Sequence, residues 1–228
     1  PIAPTFLLRA SGLERVIAGH RVLRDIELAA LSGEVIAVIG PSGSGKTTLL
    51  DALRTAEGGE VWFDRHPLGE VTAAAPLVLG EVSQDDLVTP ELTVEESLQI
   101  TARLRLAGLG RAERLALVNR VSDVLGLQPI RHSRIGNTER RGISGGQRKR
   151  VNIAQEVLAP STRVLFLDEP TSGLDPRSSG EIARLARRLA DRGRVVLVVT
   201  HDMSQDVLSQ VDHLMVLVEG RMAWFGPV

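Results

Sequence analysis

One glycine-rich segment has the residue types and the spacing of a phosphate-binding loop. Residues 40–47 read G-P-S-G-S-G-K-T and fit the pattern G-x-x-x-x-G-K-[ST]. Glycines let such a loop turn its backbone N–H groups toward phosphate oxygens, and the helix that follows adds its positive N-terminal end. We expect Lys46 to reach the β- and γ-phosphates as a compact charge and Thr47 to offer its hydroxyl to Mg²⁺. The predicted phosphate contacts are Gly40, Pro41, Ser42, Gly43, Ser44, Gly45, Lys46, Thr47 and Thr48.

A second candidate for chemistry is a pair of carboxylates at the end of an apolar run. Residues 164–167 are apolar, and Asp168 and Glu169 follow them directly. A buried strand of a parallel sheet brings its last residues to the carboxyl edge, where open α/β folds bind ligands. Asp168 is predicted to hold Mg²⁺, directly or through water, because hard cations take oxygen ligands. Glu169 is predicted to orient and deprotonate an attacking water.

A third candidate is a short segment that precedes a helical pattern. Residues 143–147 read I-S-G-G-Q and stand just before the helical run of residues 148–158. Backbone N–H groups at a helix N-terminus form an anion site. Because one phosphate loop does not need two such sites for one nucleotide, we expect this segment to serve the nucleotide of another subunit.

The elements that must position these residues alternate between strands and helices. Strand-like runs are predicted at residues 6–17, 21–30, 34–39, 76–82, 163–167, 194–200, 213–218 and 222–225. Between residues 84 and 158 helical spacing dominates, most clearly at residues 93–107 and 111–125. Apolar strands that alternate with helices predict a parallel sheet covered on both faces, with the helical block inserted between two of its strands.

Composition and charge narrow the classes of function. The 228 residues include no cysteine and no tyrosine, and 27 Lys+Arg against 28 Asp+Glu give a formal net charge of -1. The absence of cysteine excludes disulfides and thiol catalysis. The balanced charge gives no overall positive charge of the kind that binds nucleic acid. No apolar run approaches the roughly 20 residues of a membrane span, so the chain is not expected to cross a bilayer. Lys149 is expected to be a solvated helix residue, and the start at Pro1 suggests a domain of a longer protein.

Together these segments resemble a nucleotide-binding domain of an ATP-binding cassette (ABC) transporter. Residues 143–147 resemble the family's signature motif and Gln84 its Q-loop glutamine, while residues 172–175 resemble the D-loop and His201 the switch histidine. With the phosphate loop and the acidic strand end, the six elements follow the family's order over nearly the whole chain.

The resemblance implies an α/β fold of the P-loop NTPase (RecA-like) class. Its core is a mixed or parallel sheet, with N-terminal antiparallel β-strands and an inserted α-helical subdomain. Residues 1–228 would form a single ABC ATPase domain, with a RecA-like core of residues 1–84 and 159–228 and a helical subdomain of residues 85–158.

A finer resemblance is to the G-type subfamily of half transporters, which is related to the eye-pigment and pleiotropic drug-resistance pumps. It rests on Q-D-D at residues 84–86, L-T-V-E-E-S-L at 92–98, I-G at 135–136, R-G-I-S-G-G at 141–146 and Q-R-K-R-V at 147–151. Residues 200–202, T-H-D, depart from the G-type pattern and are closer to the general ABC pattern.

The resemblance also implies roles for single residues. In the family, two domains face each other head to tail and enclose two ATP molecules, so the signature of one chain contacts the γ-phosphate held by the other. Gln84 would coordinate Mg²⁺ and relay its state to the helical insertion, His201 would bind the γ-phosphate, and Asp175 would line the interface. Beyond the phosphate loop, the predicted nucleotide contacts are Gln84, Ser144, Gly145, Gly146, Gln147 and Asp175. The predicted metal ligands are Thr47, Gln84 and Asp168. The predicted catalytic residues are Lys46, Glu169 and His201.

The adenine platform departs from the family. Many members place an aromatic ring, often Tyr, before the phosphate loop, but this chain has no Tyr and aligns Ile17 there, with Val22 nearby. We therefore expect adenine to lie on an aliphatic surface and ATP and GTP to be discriminated poorly.

The function that the resemblance implies is an ATP-hydrolysing motor domain of a transporter, most specifically a G-type exporter, with ATP and Mg²⁺ as cofactors. Its expected partners are a transmembrane domain, fused or separate, and a second copy of the chain. It would work at the cytoplasmic face of the cell membrane and be soluble when isolated. The alternative is a non-transport ABC ATPase that clamps nucleic acid or the ribosome, but the short interval between Gln84 and the signature carries no heptad array. A P-loop kinase or GTPase would have no use for the signature or for His201.

Overall fold

Ten strands and seven α-helices make up the part of the chain that this computed structural model describes, residues 6–137 and 142–228. The strands are β1 (Phe6–Ile17), β2 (His20–Leu31), β3 (Val35–Ile39), β4 (Glu60–Phe63), β5 (His66–Pro67), β6 (Leu79–Val82), β7 (Val164–Asp168), β8 (Val195–Val199), β9 (His213–Val218) and β10 (Arg221–Pro227). The helices are α1 (Lys46–Thr55), α2 (Leu68–Ala74), α3 (Val94–Arg105), α4 (Arg111–Val124), α5 (Gly145–Val157), α6 (Pro176–Ala190) and α7 (Gln205–Leu208). Two residues that the sequence analysis uses lie outside the described residues: Pro1, at the start of the sequence, and Arg141, the first residue of the R-G-I-S-G-G segment.

A six-stranded sheet with the order β10-β9-β3-β8-β7-β6 lies at the centre of the fold. The neighbouring strands from β9 to β6 pair in parallel, and β10 pairs with β9 antiparallel. The middle strands β3, β8 and β7 are five residues long and consist mostly of Val, Ile and Leu. They are buried on both faces over at least their first four residues, as a parallel sheet covered by helices requires. The predicted mixed sheet is confirmed.

The N-terminal strands form a separate antiparallel sheet with the order β2-β1-β4-β5. The hairpin between β1 and β2 turns at Ala18 and Gly19, whose φ angles of 49° and 81° are both positive, as tight hairpin turns require. The sequence pattern predicts neither β4 and β5 nor α2, because strands of four and two residues and a helix of seven residues are too short to show a period.

The prediction of one strand over residues 76–82 is wrong in its first half. Pro76–Val78 form a 3₁₀ turn, in which Val78 N donates to Ala75 O at 3.0 Å, and only Leu79–Val82 form strand β6. Pro76 has no backbone N–H and cannot donate to a strand ladder, which ends the sheet at this point.

Helices α3, α4 and α5 lie between β6 and β7 in the chain, as the predicted insertion requires. Helix α3 begins at a reciprocal cap: Glu96 N donates to Thr93 Oγ1 at 3.2 Å, and Thr93 N donates to Glu96 Oε2 at 2.8 Å. Its buried residues Val94, Leu98 and Ala102 recur every fourth position, which turns one face of the helix to the core. Within residues 6–137 and 142–228, none of the helices combines the length and apolar character that spanning a membrane requires.

Replacing Thr93 by Ala is expected to lower the free energy of unfolding by about 1 kcal/mol, because the cap of α3 is lost. Thr93→Ser keeps an oxygen that accepts from Glu96 N, so it should stay near the parent value. Urea unfolding of the two variants tests the cap, and equal destabilisation by Ala and Ser would contradict it.

Candidate functional site

The phosphate loop joins the end of β3 to the start of α1, in the strand–loop–helix arrangement that the sequence predicts. Gly45 precedes the helix with a φ of 101°, a conformation that side-chain-bearing residues rarely adopt. A Cβ atom at Gly45 would lie 3.0 Å from Val22 O and 3.1 Å from Leu23 Cδ2, so the position needs glycine for space as well.

Lys46, the first residue of α1, directs its ammonium group back over the loop. Its Nζ donates to Gly40 O and to Pro41 O, both at 2.9 Å, and only 7% of the residue is exposed. Among the described residues no carboxylate forms an ion pair with Lys46. The positive charge is therefore held inside the loop and remains available for an anionic ligand.

Thr47 and Asp168, two of the predicted metal ligands, are in direct contact. Thr47 Oγ1 donates to Asp168 Oδ2 at 2.8 Å, and Asp168 Oδ1 is buried without a hydrogen-bond partner in the described part of the chain. A buried carboxylate oxygen with unused lone pairs beside a hydroxyl is a donor set that suits a hard cation. Mg²⁺ takes one or two carboxylates when phosphates and water supply its other ligands, so these residues fit Mg²⁺ bound with a nucleotide.

Glu169 and His201 meet at the carboxyl ends of the neighbouring strands β7 and β8. His201 Nε2 lies 3.0 Å from Glu169 Oε1, and Glu169 N donates to Val199 O at 3.0 Å. Glu169 has a φ of 46°, an uncommon conformation for a residue with a side chain and one that clusters at functional sites. The contact brings the predicted base and the predicted switch histidine together.

Lys46, Thr47, Glu169 and His201 line one open cavity of about 420 Å³, whereas Asp168, which contacts Thr47, is not among its lining residues. Its lining residues are Val22, Ser42, Gly43, Gly45, Lys46, Thr47, Thr48, Glu169 and His201. The loop N–H groups, the N-terminus of α1 and the Lys46 ammonium make the floor of the cavity cationic. Val22 gives the cavity an aliphatic wall, whereas Ile17, which is 50% exposed, does not line it.

The signature segment forms the N-terminus of α5 and does not reach this cavity. Ser144 Oγ accepts from Gln147 N at 3.2 Å, and Gln147 Oε1 accepts from Ser144 N at 2.9 Å, so both side chains cap the helix. Ser144 and Gly145 are exposed, whereas Gly146 is buried, and a Cβ atom at Gly146 would lie 3.1 Å from Ser178 Cβ. Helix α5 starts at Gly145, three residues earlier than the predicted run from Arg148, because Ser144 supplies the cap.

Gln84 and Asp175 lie on separate loops. Gln84 follows β6, and no hydrogen bond of the described residues joins its side chain to Thr47 or Asp168. Asp175 caps α6: its two carboxylate oxygens accept from Ser178 Oγ at 2.6 Å and Ser178 N at 3.0 Å. These hydrogen bonds, with that from the hydroxyl as the largest cause, hold the pKa of Asp175 below its usual value. Both roles at a bound nucleotide remain predictions.

The expectation that Lys149 is solvated is wrong. Only 4% of the residue is exposed, and its Nζ donates to Gln84 O at 2.9 Å and contacts Asp86 Oδ1 at 2.9 Å. The sequence does carry one signal that the position is special, namely that Lys149 and Lys46 are the only two lysines among 27 Lys+Arg.

Comparison with known proteins identifies the family. A family model described as "ABC transporter" matches residues 23–172. "ABC transporter G family member 28" of Arabidopsis thaliana is 45% identical over 202 residues, which are 86% of this chain and 18% of that protein. "ABC transporter G family member STR" of Medicago truncatula is 39% identical over 211 residues, which are 90% of this chain and 26% of that protein. The chain thus spans about a quarter or less of the length of these relatives.

A solved structure with a similar fold also comes from an ABC transporter. That of cbiO1 from Clostridium perfringens, described as part of the ABC transporter complex cbiONQ, matches with a TM-score of 0.84 at 26% identity and covers 98% of this chain and 89% of that one. The family model covers well over half of the chain, and both relatives are G family members. The chain therefore belongs to the ABC transporter family and is similar to its G-type members.

Proposed function

We propose that this chain binds and hydrolyses ATP as the motor domain of a G-type ABC exporter. The observation that carries the proposal is the cavity of about 420 Å³ in which the phosphate loop meets Glu169 and His201. The three groups come from the ends of β3, β7 and β8, which are neighbours in the parallel sheet, so the fold holds them in fixed positions. ATP and Mg²⁺ are the proposed ligands, and the cytoplasmic face of the membrane is the proposed location.

The proposed chemistry assigns one task to each of these residues. Lys46 and the loop N–H groups bind and orient the phosphates. Thr47 and Asp168 would hold Mg²⁺, which when bound supplies charge neutralisation at the phosphates. His201 Nε2 faces Glu169 Oε1 and fixes the orientation of the carboxylate, so that Glu169 can accept the proton of the attacking water.

The proposed metal site predicts the effect of Thr47→Val. This change keeps the size of the side chain and removes the hydroxyl, so the affinity for ATP in the presence of Mg²⁺ should fall by at least about tenfold. Affinity in excess EDTA should be unchanged. Titration with a fluorescent ATP analogue under both conditions measures the two values.

A matched control lies on the same helix. Thr55 Oγ1 donates to Asp51 O at 2.9 Å at the far end of α1, so Thr55→Val should leave both affinities at parent values. If Thr47→Val lowers the affinity equally with and without Mg²⁺, the hydroxyl is not a metal ligand.

A second copy of the chain is the proposed partner at the nucleotide. Ser144 and Gly145 are exposed at the N-terminus of α5 and lie outside the cavity of their own chain. The Ser144 N–H donates to Gln147 Oε1, so the hydroxyl of Ser144 and the N–H of Gly145 are the groups that would meet an anion from elsewhere. A head-to-tail pair would bring this helix end to the triphosphate of the other chain and complete two sites by one symmetric contact.

The proposed membrane partner would contact the helical subdomain, which we assign to residues 85–158. Two apolar side chains, Leu87 and Leu104, are 76% and 77% exposed and line the same groove of about 270 Å³ beside the end of β6. Apolar side chains that flank one groove are more typical of a contact surface than of a free one. The groove begins next to Gln84, which would connect the nucleotide with the membrane partner.

The base-binding region predicts weak selectivity between nucleotides. Val22 is the aliphatic side chain in the cavity lining, and an apolar surface gives no hydrogen bond that separates adenine from guanine. We expect ATP and GTP to bind within about tenfold of each other. Competition against a fluorescent ATP analogue measures the ratio, and an ATP preference above about a hundredfold would contradict the aliphatic platform.

The clamp on nucleic acid or the ribosome is the second candidate. No specific observation favours it: the relatives are named as transporters, and the net charge of -1 attracts no polyanion.

A further inference from the structure

The two lysines of this chain share an environment in which none of the arginines in the described residues lies. All other basic residues are arginine, which makes 25 of the 27. Lys46 and Lys149 are 7% and 4% exposed, and each ammonium group contacts two consecutive backbone carbonyl groups of a loop. For Lys46 that loop is the phosphate loop. For Lys149 it is the segment that carries Gln84, which the proposed function uses and for which Lys149 has no assigned task.

Lys149 Nζ has one acceptor for each of its three protons. It donates to Ser83 O at 3.4 Å and to Gln84 O at 2.9 Å, and it lies 2.9 Å from Asp86 Oδ1. The same Asp86 oxygen accepts from Asn152 Nδ2 at 2.8 Å. The buried charge is therefore both neutralised and fully hydrogen-bonded, which a buried ammonium group requires.

The arrangement explains why lysine stands between Arg148 and Arg150. An ammonium group is compact and its three donors diverge, so it can reach acceptors on three sides of one point. A guanidinium group is planar, and its donors lie in one fixed fork. Arg150 on the same helix pairs instead with Glu181 of α6 at 2.5 Å, on another side of the helix.

The position of Lys149 connects two parts of the site. It lies on α5, five residues after Ser144, which caps that helix at the proposed contact with the second copy. Its three acceptors all belong to residues 83–86, which follow β6 beside the strand that carries Asp168. A shift of the N-terminal end of α5 would therefore act directly on the backbone of Gln84.

We propose that Lys149 is a positioning residue that fastens the backbone of residues 83–86 to α5, and that it thereby holds Gln84 in place for Mg²⁺ and ties the signature end of the helix to that glutamine. The inference rests on the proposed function for the role of Gln84. The fastening itself is a property of the chain without nucleotide, so the two can be tested separately.

The first test measures the mobility of the segment without nucleotide. The chain has no cysteine, so Leu87→Cys, at a position 76% exposed, gives one site for a nitroxide spin label next to residues 83–86. Lys149→Met keeps the length of the side chain and removes its donors. We expect the label at position 87 to become more mobile, which narrows the lines of its electron paramagnetic resonance spectrum. Leu104→Cys, at a position 77% exposed on α3, carries the control label, which Lys149→Met should leave unchanged.

Two further variants separate fastening from general loss of structure. Arg150→Met removes a neighbouring basic side chain of the same helix and should leave the Leu87→Cys label as it is. Lys149→Gln retains two donors, is less of a risk to folding, and should produce the same change as Lys149→Met to a smaller extent. An unchanged Leu87→Cys spectrum in both Lys149 variants, with folding confirmed by circular dichroism, would overturn the inference.

The second test asks whether Lys149 acts through Gln84. Lys149→Met should raise the Mg²⁺ concentration for half-maximal ATP hydrolysis by about 10- to 100-fold, as the loss of a partner behind a metal ligand does. Because the effect passes through Gln84, the double variant Lys149→Met/Gln84→Ala should need no more Mg²⁺ than Gln84→Ala alone. Effects that multiply in the double variant would contradict the coupling. A parent chain without ATPase activity would refute the proposed function and leave the spin-label result standing.

Discussion

Glu169→Gln is expected to reduce steady-state ATP hydrolysis by about 10²- to 10⁴-fold, the usual contribution of a positioned general base. The amide has the size of the carboxylate, and its oxygen can still accept a hydrogen bond from His201 Nε2, which lies 3.0 Å from Oε1 in the parent. What the amide cannot do is accept a proton from water. ATP binding should therefore be kept, because the phosphate loop and the contact between Thr47 and Asp168 are untouched.

The loss of turnover should also change the assembly state. If bound ATP holds two copies together and hydrolysis weakens the dimer interface, a variant that binds but does not hydrolyse ATP accumulates as a dimer. Phosphate release measures the first effect, and light scattering after size exclusion with ATP measures the second. The parent chain should elute as a monomer under the same conditions once its ATP is consumed.

Glu219 offers a matched control for this variant. It is exposed and shares with Glu169 a positive φ, 48° against 46°, but it follows β9 and does not line the cavity. Glu219→Gln should hydrolyse ATP at the parent rate. A Glu169→Gln chain that does the same would be incompatible with the assignment of the base.

The parts of the site that the sequence predicted are those that one short segment specifies by itself. The phosphate loop needs its glycines, its lysine and the strand and helix around it, and all of these lie between Val35 and Thr55. The same holds for Asp168 and Glu169. One short segment specifies both the buried strand and the position of the two carboxylates at its carboxyl end. That His201 meets Glu169 depends on β7 and β8 being neighbours in the sheet, and the local pattern around either residue does not specify that order.

Contacts between distant segments were beyond the sequence. Lys149 lies in a helical run with arginines on either side, a pattern typical of a solvated face, and its burial depends on residues 65 and 66 positions earlier in the chain. The cap that Asp175 forms with Ser178 is local by contrast, and Asp directly before Pro176 is the sequence signal for it. The interface role of Asp175 stays a prediction. Strands β4 and β5 are too short to have a period, and their partners are set by the fold: β4 pairs with β1, and β5 pairs with β4.

Ser144→Asp is expected to abolish ATP-driven association while leaving the fold intact. Asp caps helices as well as Ser does, and a carboxylate at a helix N-terminus interacts favourably with the helix dipole, so α5 should keep its start. At the proposed contact, however, the carboxylate would face the triphosphate held by the second copy. Like charges across an interface cost several kcal/mol, which weakens association by about 100-fold or more.

Ser144→Asn separates charge from shape in this experiment. Asn has the size of Asp and caps helices equally well, but it carries no charge. With Glu169→Gln as the background that retains ATP, the Asn chain should still form dimers on light scattering and the Asp chain should stay monomeric. Binding of a fluorescent ATP analogue to the monomer should be the same in both, because Ser144 lies outside the cavity of its own chain. If the Asp chain dimerises as readily as the Asn chain, Ser144 does not face a bound triphosphate, and the head-to-tail arrangement fails with it.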